Sequence, residues 1–256
     1  IYGYAHHYYQ MSPATNPDVL NTLMASTKSA FDYKPLMQTE YAHLKTHTIS
    51  AVERKLNQAK LMHNGLTIEG LSAYLYWALF WTVQAADQEG LINFSNNSTG
   101  SYSINPEYYG FKHYSAFVHS DWRRVEASAG TNEVSLSAFV SPDRDQMSVI
   151  LINENSTPVD MNIAFSNVTI LAGSVYRTTD QLDCEWVSGF SGSSVELPGE
   201  SITTLALNTQ PLAAPAHTNI LMISIDDLRP QLRSYGVPQM KTPHLDQLAL
   251  DGYQFN

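Results

Sequence analysis

The chain has 256 residues, room for one large domain or two smaller ones, and 43% of them are hydrophobic, enough for a sizeable core. A formal charge of −10 with only 14 Lys plus Arg argues against a phosphate-backbone partner and sets nucleic acid aside. The single cysteine, Cys184, excludes an internal disulfide and a multi-cysteine zinc site, and the longest apolar run, Leu71 to Trp81, is shorter than the ~20 residues a bilayer span needs, so no transmembrane segment is expected.

Ile1 opens inside a strand-like run with no initiator Met and no signal peptide, so a longer parent is expected. Ile1 to Ala5 is short, apolar and aromatic and leads into His6-His7-Tyr8-Tyr9. This is the pattern of a buried parallel strand with polar aromatics at its C-terminal mouth. Pro13, Asn16 and Pro17 mark a loop, and Asp18 to Ser29 is predicted as a helix. In the next strand Pro35-Leu36-Met37 gives way to Gln38-Thr39-Glu40-Tyr41. A carboxylate at the C-terminal lip of a strand is where a β/α barrel keeps its chemistry, so Glu40 is read as a catalytic carboxylate. The alternative is a capping or salt-bridging Glu.

Ser50-Ala51-Val52-Glu53 is a capping box, and Ile49, Val52, Leu56, Ala59 and His63 recur at helical spacing up to a left-handed turn predicted at Asn64-Gly65. Leu71 to Trp77, running on to Phe80 and Trp81, reads as a third strand. Asn105-Pro106-Glu107 begins a helix expected to reach about Val118, with Asn105 as its cap. Strands alternating with helices imply parallel βα units. From Val125 to Asn208 the texture changes: 134–140, 147–153, 161–165, 174–179, 193–197 and 202–207 read as strands. Turn signals at Pro142-Asp143, Asn155, Ala172-Gly173, Ser191-Gly192 and Pro198-Gly199 punctuate them, which argues a β-sandwich. Residues 209–218 form a Pro/Ala linker. The βα texture then restarts, with a strand from Asn219 to Ile225, Asp226-Asp227 at its end, and a helix from Thr242-Pro243 with Leu245, Leu248 and Ala249 inward.

The order Ala5-His6-His7-Tyr8-Tyr9, Thr39-Glu40-Tyr41 and Tyr74-Leu75-Tyr76-Trp77 resembles the last three barrel strands of glycoside hydrolase family 30, the glucosylceramidase/glucuronoxylanase-like enzymes. Asn105 to Val118 and Arg124-Val125-Glu126-Ala127-Ser128 look like that family's final barrel helix and its crossing into the side domain, and Ser201-Ile202-Thr203-Thr204-Leu205 looks like its closing strand. The resemblance implies that Glu40 is the nucleophile of a retaining mechanism, with His7 and Tyr9 bonding the nucleophile or a sugar hydroxyl and Trp77 as a stacking wall. From the residues alone, His7 could equally be a structural histidine, Trp77 a core residue, and Trp81 is read as core. The family's acid/base Glu lies on an earlier strand and is expected upstream of Ile1, so this fragment is expected to be inactive alone.

Asn219 to Pro230, Tyr235-Gly236 and Thr242 to Ala249 resemble the start of the formylglycine-dependent sulfatases. That resemblance implies an incomplete calcium site at Asp226 and Asp227, a pairing that suits a hard cation; alternatively Asp227 caps a turn. No cofactor is expected for the glycosidase part. The expected fold is α/β plus all-β. Residues 1–122 would be the C-terminal part of a (β/α)8 TIM barrel, 123–208 a β-sandwich side domain, 209–218 a linker, and 219–256 the first βα unit of an alkaline-phosphatase-like sulfatase domain. The expected function is retaining hydrolysis of a polysaccharide or glycoconjugate of xylan, galactan or glucan kind, possibly sulfated, by a secreted, periplasmic or cell-surface protein. The alternatives are a sulfatase as the parent's main activity, or a non-catalytic carbohydrate-binding β-module.

Overall fold

The computed structural model describes residues 2–43, 49–82, 89–96, 98–212 and 232–251. The chain divides into two units, Ile1–Ala213 and Ala214–Asn256. In the first, β1 (Tyr4–His7), β2 (Leu36–Glu40) and β3 (Ala73–Tyr74) pair in parallel in the order β1-β2-β3. Their connections carry helix α1 (Asn21–Phe31) and helix α2 (Ala51–Asn64). The predicted helix at 18–29 divides: Pro17–Leu20 is a 3-10 turn capped by Asn16, whose side chain accepts from the Asp18 amide, and α1 follows it. The capping box of α2 is present in full, with Ser50 N donating to Glu53 Oε2 at 2.7 Å and Glu53 N to Ser50 Oγ at 3.2 Å.

Two expectations in this region are corrected. Gly65 does not end α2 in a left-handed turn: its φ is −59°, the helix runs on as a π-turn over Gly65–Glu69, and the left-handed residue is Gly70. Gly65 packs closely, since a Cβ there would meet the Tyr8 hydroxyl at 3.0 Å and Leu71 Cδ1 at 2.8 Å. The predicted strand 71–81 is also two elements. After β3 the chain leaves the sheet, and β4 (Phe80–Thr82) pairs with β5 (Ile92–Asn96), which pairs in turn with β6 (Ser101–Ile104). Sequence reading passed over that hairpin. Helix α3 (Glu107–Ser115) stops short of Val118, and Asn105 sends its side-chain amide to the Gly90 carbonyl at 2.6 Å.

A six-stranded antiparallel sheet follows, in the order β12-β11-β14-β9-β8-β7, with a two-stranded β10-β13 sheet packed against it. Its strands are β7 (Arg123–Val125), β8 (Val134–Val140), β9 (Gln146–Asn153), β10 (Val159–Asn162), β11 (Val168–Thr178), β12 (Asp183–Phe190), β13 (Ser194–Leu197) and β14 (Ser201–Pro211). Strand β12 was missed because bulges at Val187 and Cys184 interrupt its two-residue period, and the turn misplaced at Ala172-Gly173 falls beside the break in β11 at Leu171. Residues 209–211, assigned by composition to the linker, extend β14 and pair with β11.

Alternate residues of β9 enter different cores. Met147, Val149 and Leu151 join Val175, Leu205 and Leu207 toward the small sheet, whereas Ile150 and Ile152 meet Leu56, Ala59, Met62 and Tyr114 from α2 and α3. The helices that border the parallel sheet are therefore also the outer layer of the sandwich. Polar contacts staple this seam: His113 bonds Thr204 at 2.7 Å and Thr178 at 2.8 Å, and Lys60 reaches Glu154 at 2.6 Å. Cys184 is buried in β12, and burial pushes its thiol up to about 11, as suits a structural cysteine.

In the second unit the described residues form a 3-10 turn, Arg233–Tyr235, and helix α4 (Pro243–Asp251). Asp246 accepts from Ser234 N at 3.1 Å and Thr242 Oγ1 at 3.0 Å. Leu245, expected inward, is 41% exposed. The predicted strand 219–225 and the cation pair Asp226 and Asp227 lie outside the described residues. Among the described residues no helix is long and apolar enough to cross a membrane, and no group of His, Cys, Asp and Glu is placed to hold a metal ion.

Candidate active site

Parallel pairing of β1 with β2 makes His7 and Glu40 register partners at the C-terminal ends of their strands. His7 Nε2 lies 3.8 Å from Glu40 Oε2, a spacing for charge attraction rather than a hydrogen bond. Tyr9, two residues beyond His7, has its hydroxyl close enough to Glu40 to feel that charge. Burial pushes the Tyr9 hydroxyl up to about 12, the nearby Glu40 carboxylate acts the same way, and Glu89 adds a smaller push. Tyr9 is thus a neutral phenol beside a carboxylate. Both Glu40 and His7 keep part of their side chains in solvent, so a ligand can reach them.

Trp77 follows β3, and its amide donates to the Tyr41 carbonyl at 2.8 Å, which ties it to the segment just after Glu40. Its ring is 46% exposed and meets Trp81 edge-on at 6.4 Å between centroids, so it is not a core residue. The Trp77–Ala78 peptide is cis. All four residues singled out in this unit, His7, Tyr9, Glu40 and Trp77, therefore belong to neighbouring strand ends. A ladder of rings lies beneath them, from His7 through Tyr9, Tyr41 and Tyr76 to Phe111, with centroids 6.1 to 6.2 Å apart.

Sequence reasoning missed the buried polar groups behind this surface. Glu107 at the start of α3 is 2% exposed and takes a two-pronged grip from Arg54 of α2, Nε to Oε1 at 2.5 Å and Nη2 to Oε2 at 2.7 Å. The Nδ1 of buried His43 is 3.6 Å from Glu107 Oε1, and the His43 amide donates to the Tyr76 hydroxyl at 3.0 Å. Under β1, the Tyr8 hydroxyl donates to buried Glu69, whose other oxygen lies 3.0 Å from His6 Nε2. Burial, then the Glu69 charge, holds the Tyr8 hydroxyl far above its ordinary range. Only burial marks Glu69 and Glu107 out, at 1% and 2% exposed.

A solvent-reached carboxylate with a neutral phenol donor beside it can attack an electrophilic carbon or take up a proton. Residues 123–205 match the glycosyl hydrolase family 30 beta sandwich domain. About four fifths of the chain also resembles solved family 30 structures in fold. A family 30 endoxylanase from Clostridium papyrosolvens superposes with a TM-score of 0.61 at 23% identity, covering 80% of this chain and 48% of that one. The catalytic domain of family 30 xylanase C from Talaromyces cellulolyticus gives 0.58 at 24% identity over 68% of this chain and 41% of the other. An endo-β1,6-glucanase gives 0.58 at 17% identity over 81% and 41%. The chain spans less than half the length of each of these structures. No curated protein matches its sequence.

Proposed function

We propose that this chain is the nucleophile-bearing C-terminal part of a retaining glycoside hydrolase barrel of the family 30 kind, acting on a polysaccharide of xylan, galactan or glucan type. The observation that carries this reading is Glu40, set at a parallel strand end with His7 facing it and Tyr9 nearby, in a chain whose sandwich matches the family 30 domain. In the proposed reaction a Glu40 oxygen bonds to the anomeric carbon as the glycosidic C–O bond breaks, and a second carboxylic acid protonates the departing oxygen. Water, activated by that same second group, then attacks the anomeric carbon and releases Glu40 with retention. The second carboxylate is assigned to a barrel strand preceding this stretch, in keeping with the half-length coverage. Tyr9 stands beside Glu40, and half-exposed Trp77 offers a face for a sugar ring.

Trapping the covalent intermediate tests the proposal. An activated 2-deoxy-2-fluoro-β-glycoside of the xylo or gluco series, incubated with the full-length protein, is expected to leave one sugar on the peptide that contains Glu40. Glu40→Gln should abolish the adduct and lower turnover by roughly a thousandfold or more. An adduct on another residue, or inversion of configuration in the product, overturns the assignment.

A further inference from the structure

We propose that Glu107 is a positioning residue for Glu40, a buried carboxylate that joins the segment after β2 to the segment after β3 and so fixes where the nucleophile points. The inference rests on the retaining reading above and deepens it.

A carboxylate almost wholly withdrawn from water loses hydration that only well-formed partners restore. The bidentate grip of Arg54 supplies two of those contacts, and His43 faces Oε1 from the other side. His43 stands three residues beyond Glu40. Its amide is fixed to the Tyr76 hydroxyl, Tyr76 precedes Trp77, and the Trp77 amide returns to the carbonyl of Tyr41. Glu107 therefore closes a circuit through 41–43 and 76–77, the segments that carry the nucleophile and the exposed tryptophan. Its charge is also felt at the hydroxyls of Tyr41 and Tyr76, which burial first and Glu107 second push upward. Tyr41 in turn packs on Tyr9, whose hydroxyl feels the Glu40 charge. A simple clamp between α2 and α3 would need Arg54 and Glu107 alone; it would not need the carboxylate turned toward His43 between two strand ends.

The test compares Glu107→Gln and Glu107→Asp with Ile150→Val, a core change at the α2/α3 seam, all in the full-length protein. The readouts are kcat, KM, the rate at which the fluoroglycoside labels Glu40, and the melting temperature. Glu107→Gln is expected to lower kcat and the labelling rate together by about 30- to 100-fold, the scale of a misplacement near 1 Å, with KM within about threefold. Ile150→Val should lower the melting temperature and leave both rates unchanged. If Glu107→Gln labels Glu40 at the wild-type rate while melting earlier, Glu107 is only a clamp and the proposal is overturned. Should the Gln variant not fold, Glu107→Asp, which keeps the charge but shortens the reach, decides by the same rates. Wild-type protein that labels elsewhere or not at all defeats the retaining reading itself, and the positioning role falls with it.

Discussion

Burial and the Glu40 carboxylate keep the Tyr9 hydroxyl protonated up to about pH 12, so across the range in which enzymes work it is available as a donor to Glu40 during the reaction. A hydrogen bond to a charged group contributes about 1.5–3 kcal/mol, so Tyr9→Phe is expected to lower kcat by roughly 10- to 100-fold with a smaller change in KM. Steady-state rates of the two proteins side by side measure it, and equal rates would make the hydroxyl a bystander. Glu40, His7, Tyr9 and Trp77 were legible in the sequence because each ends a short apolar run, and that pattern is local. Glu107 and Arg54 were not. They stand 53 positions apart, and no spacing rule joins residues that meet only when α2 packs on α3.

Among the elements, α2 carries the most, since it borders the parallel sheet on one side and the sandwich on the other. Its approach to α3 depends on Gly110: a Cβ there would lie 2.1 Å from the Lys55 carbonyl, backbone that cannot move aside cheaply. Gly110→Ala gains helix propensity of up to about 1 kcal/mol but forces the helices apart. The net expectation is a destabilisation of about 1–3 kcal/mol, read from the urea midpoint. An unchanged midpoint would mean that the helices separate freely. The capping box, the strands at β8 and β9 and the alternation of the first three strands were readable because each is written in consecutive residues. The end of α2 was misread because Asn-Gly there is a packing site for Tyr8 and not a turn.

At the scale of the molecule, the seam between helices and sandwich sets how the first unit unfolds. Ile150 is fully buried there, and Ile150→Ala is expected to cost about 2–5 kcal/mol, with circular dichroism and tryptophan fluorescence moving together. Separate transitions would show that the parallel sheet and the sandwich come apart independently. The pH profile should have two limbs. Burial pushes His113 down to about 3 and His63 down to about 4, so the unfolded chain takes up protons that the folded chain refuses. Their contribution to stability is full above about pH 6.5 and is lost as pH falls toward 4 and then 3, by up to about 1.4 kcal/mol per pH unit for each histidine. Burial raises the hydroxyls of Tyr8, Tyr41, Tyr74, Tyr76 and Tyr114, so their contribution is full below about pH 10 and is lost as pH rises further. Urea midpoints from pH 4 to 11 should form a plateau between roughly 7 and 10, and a midpoint that holds steady from 7 to 4 contradicts the acid limb. The sequence by itself determined the alternation of strands and helices, the run of antiparallel strands and the carboxylate at a strand end, because periodicity and strand termini are properties of neighbours along the chain. Only the tertiary structure decided which core each face of β9 enters, why Gly110 is a glycine, and that Arg54 and His43 converge on buried Glu107. Those depend on close packing between surfaces distant in sequence, where an ångström of space or one buried charge decides the outcome.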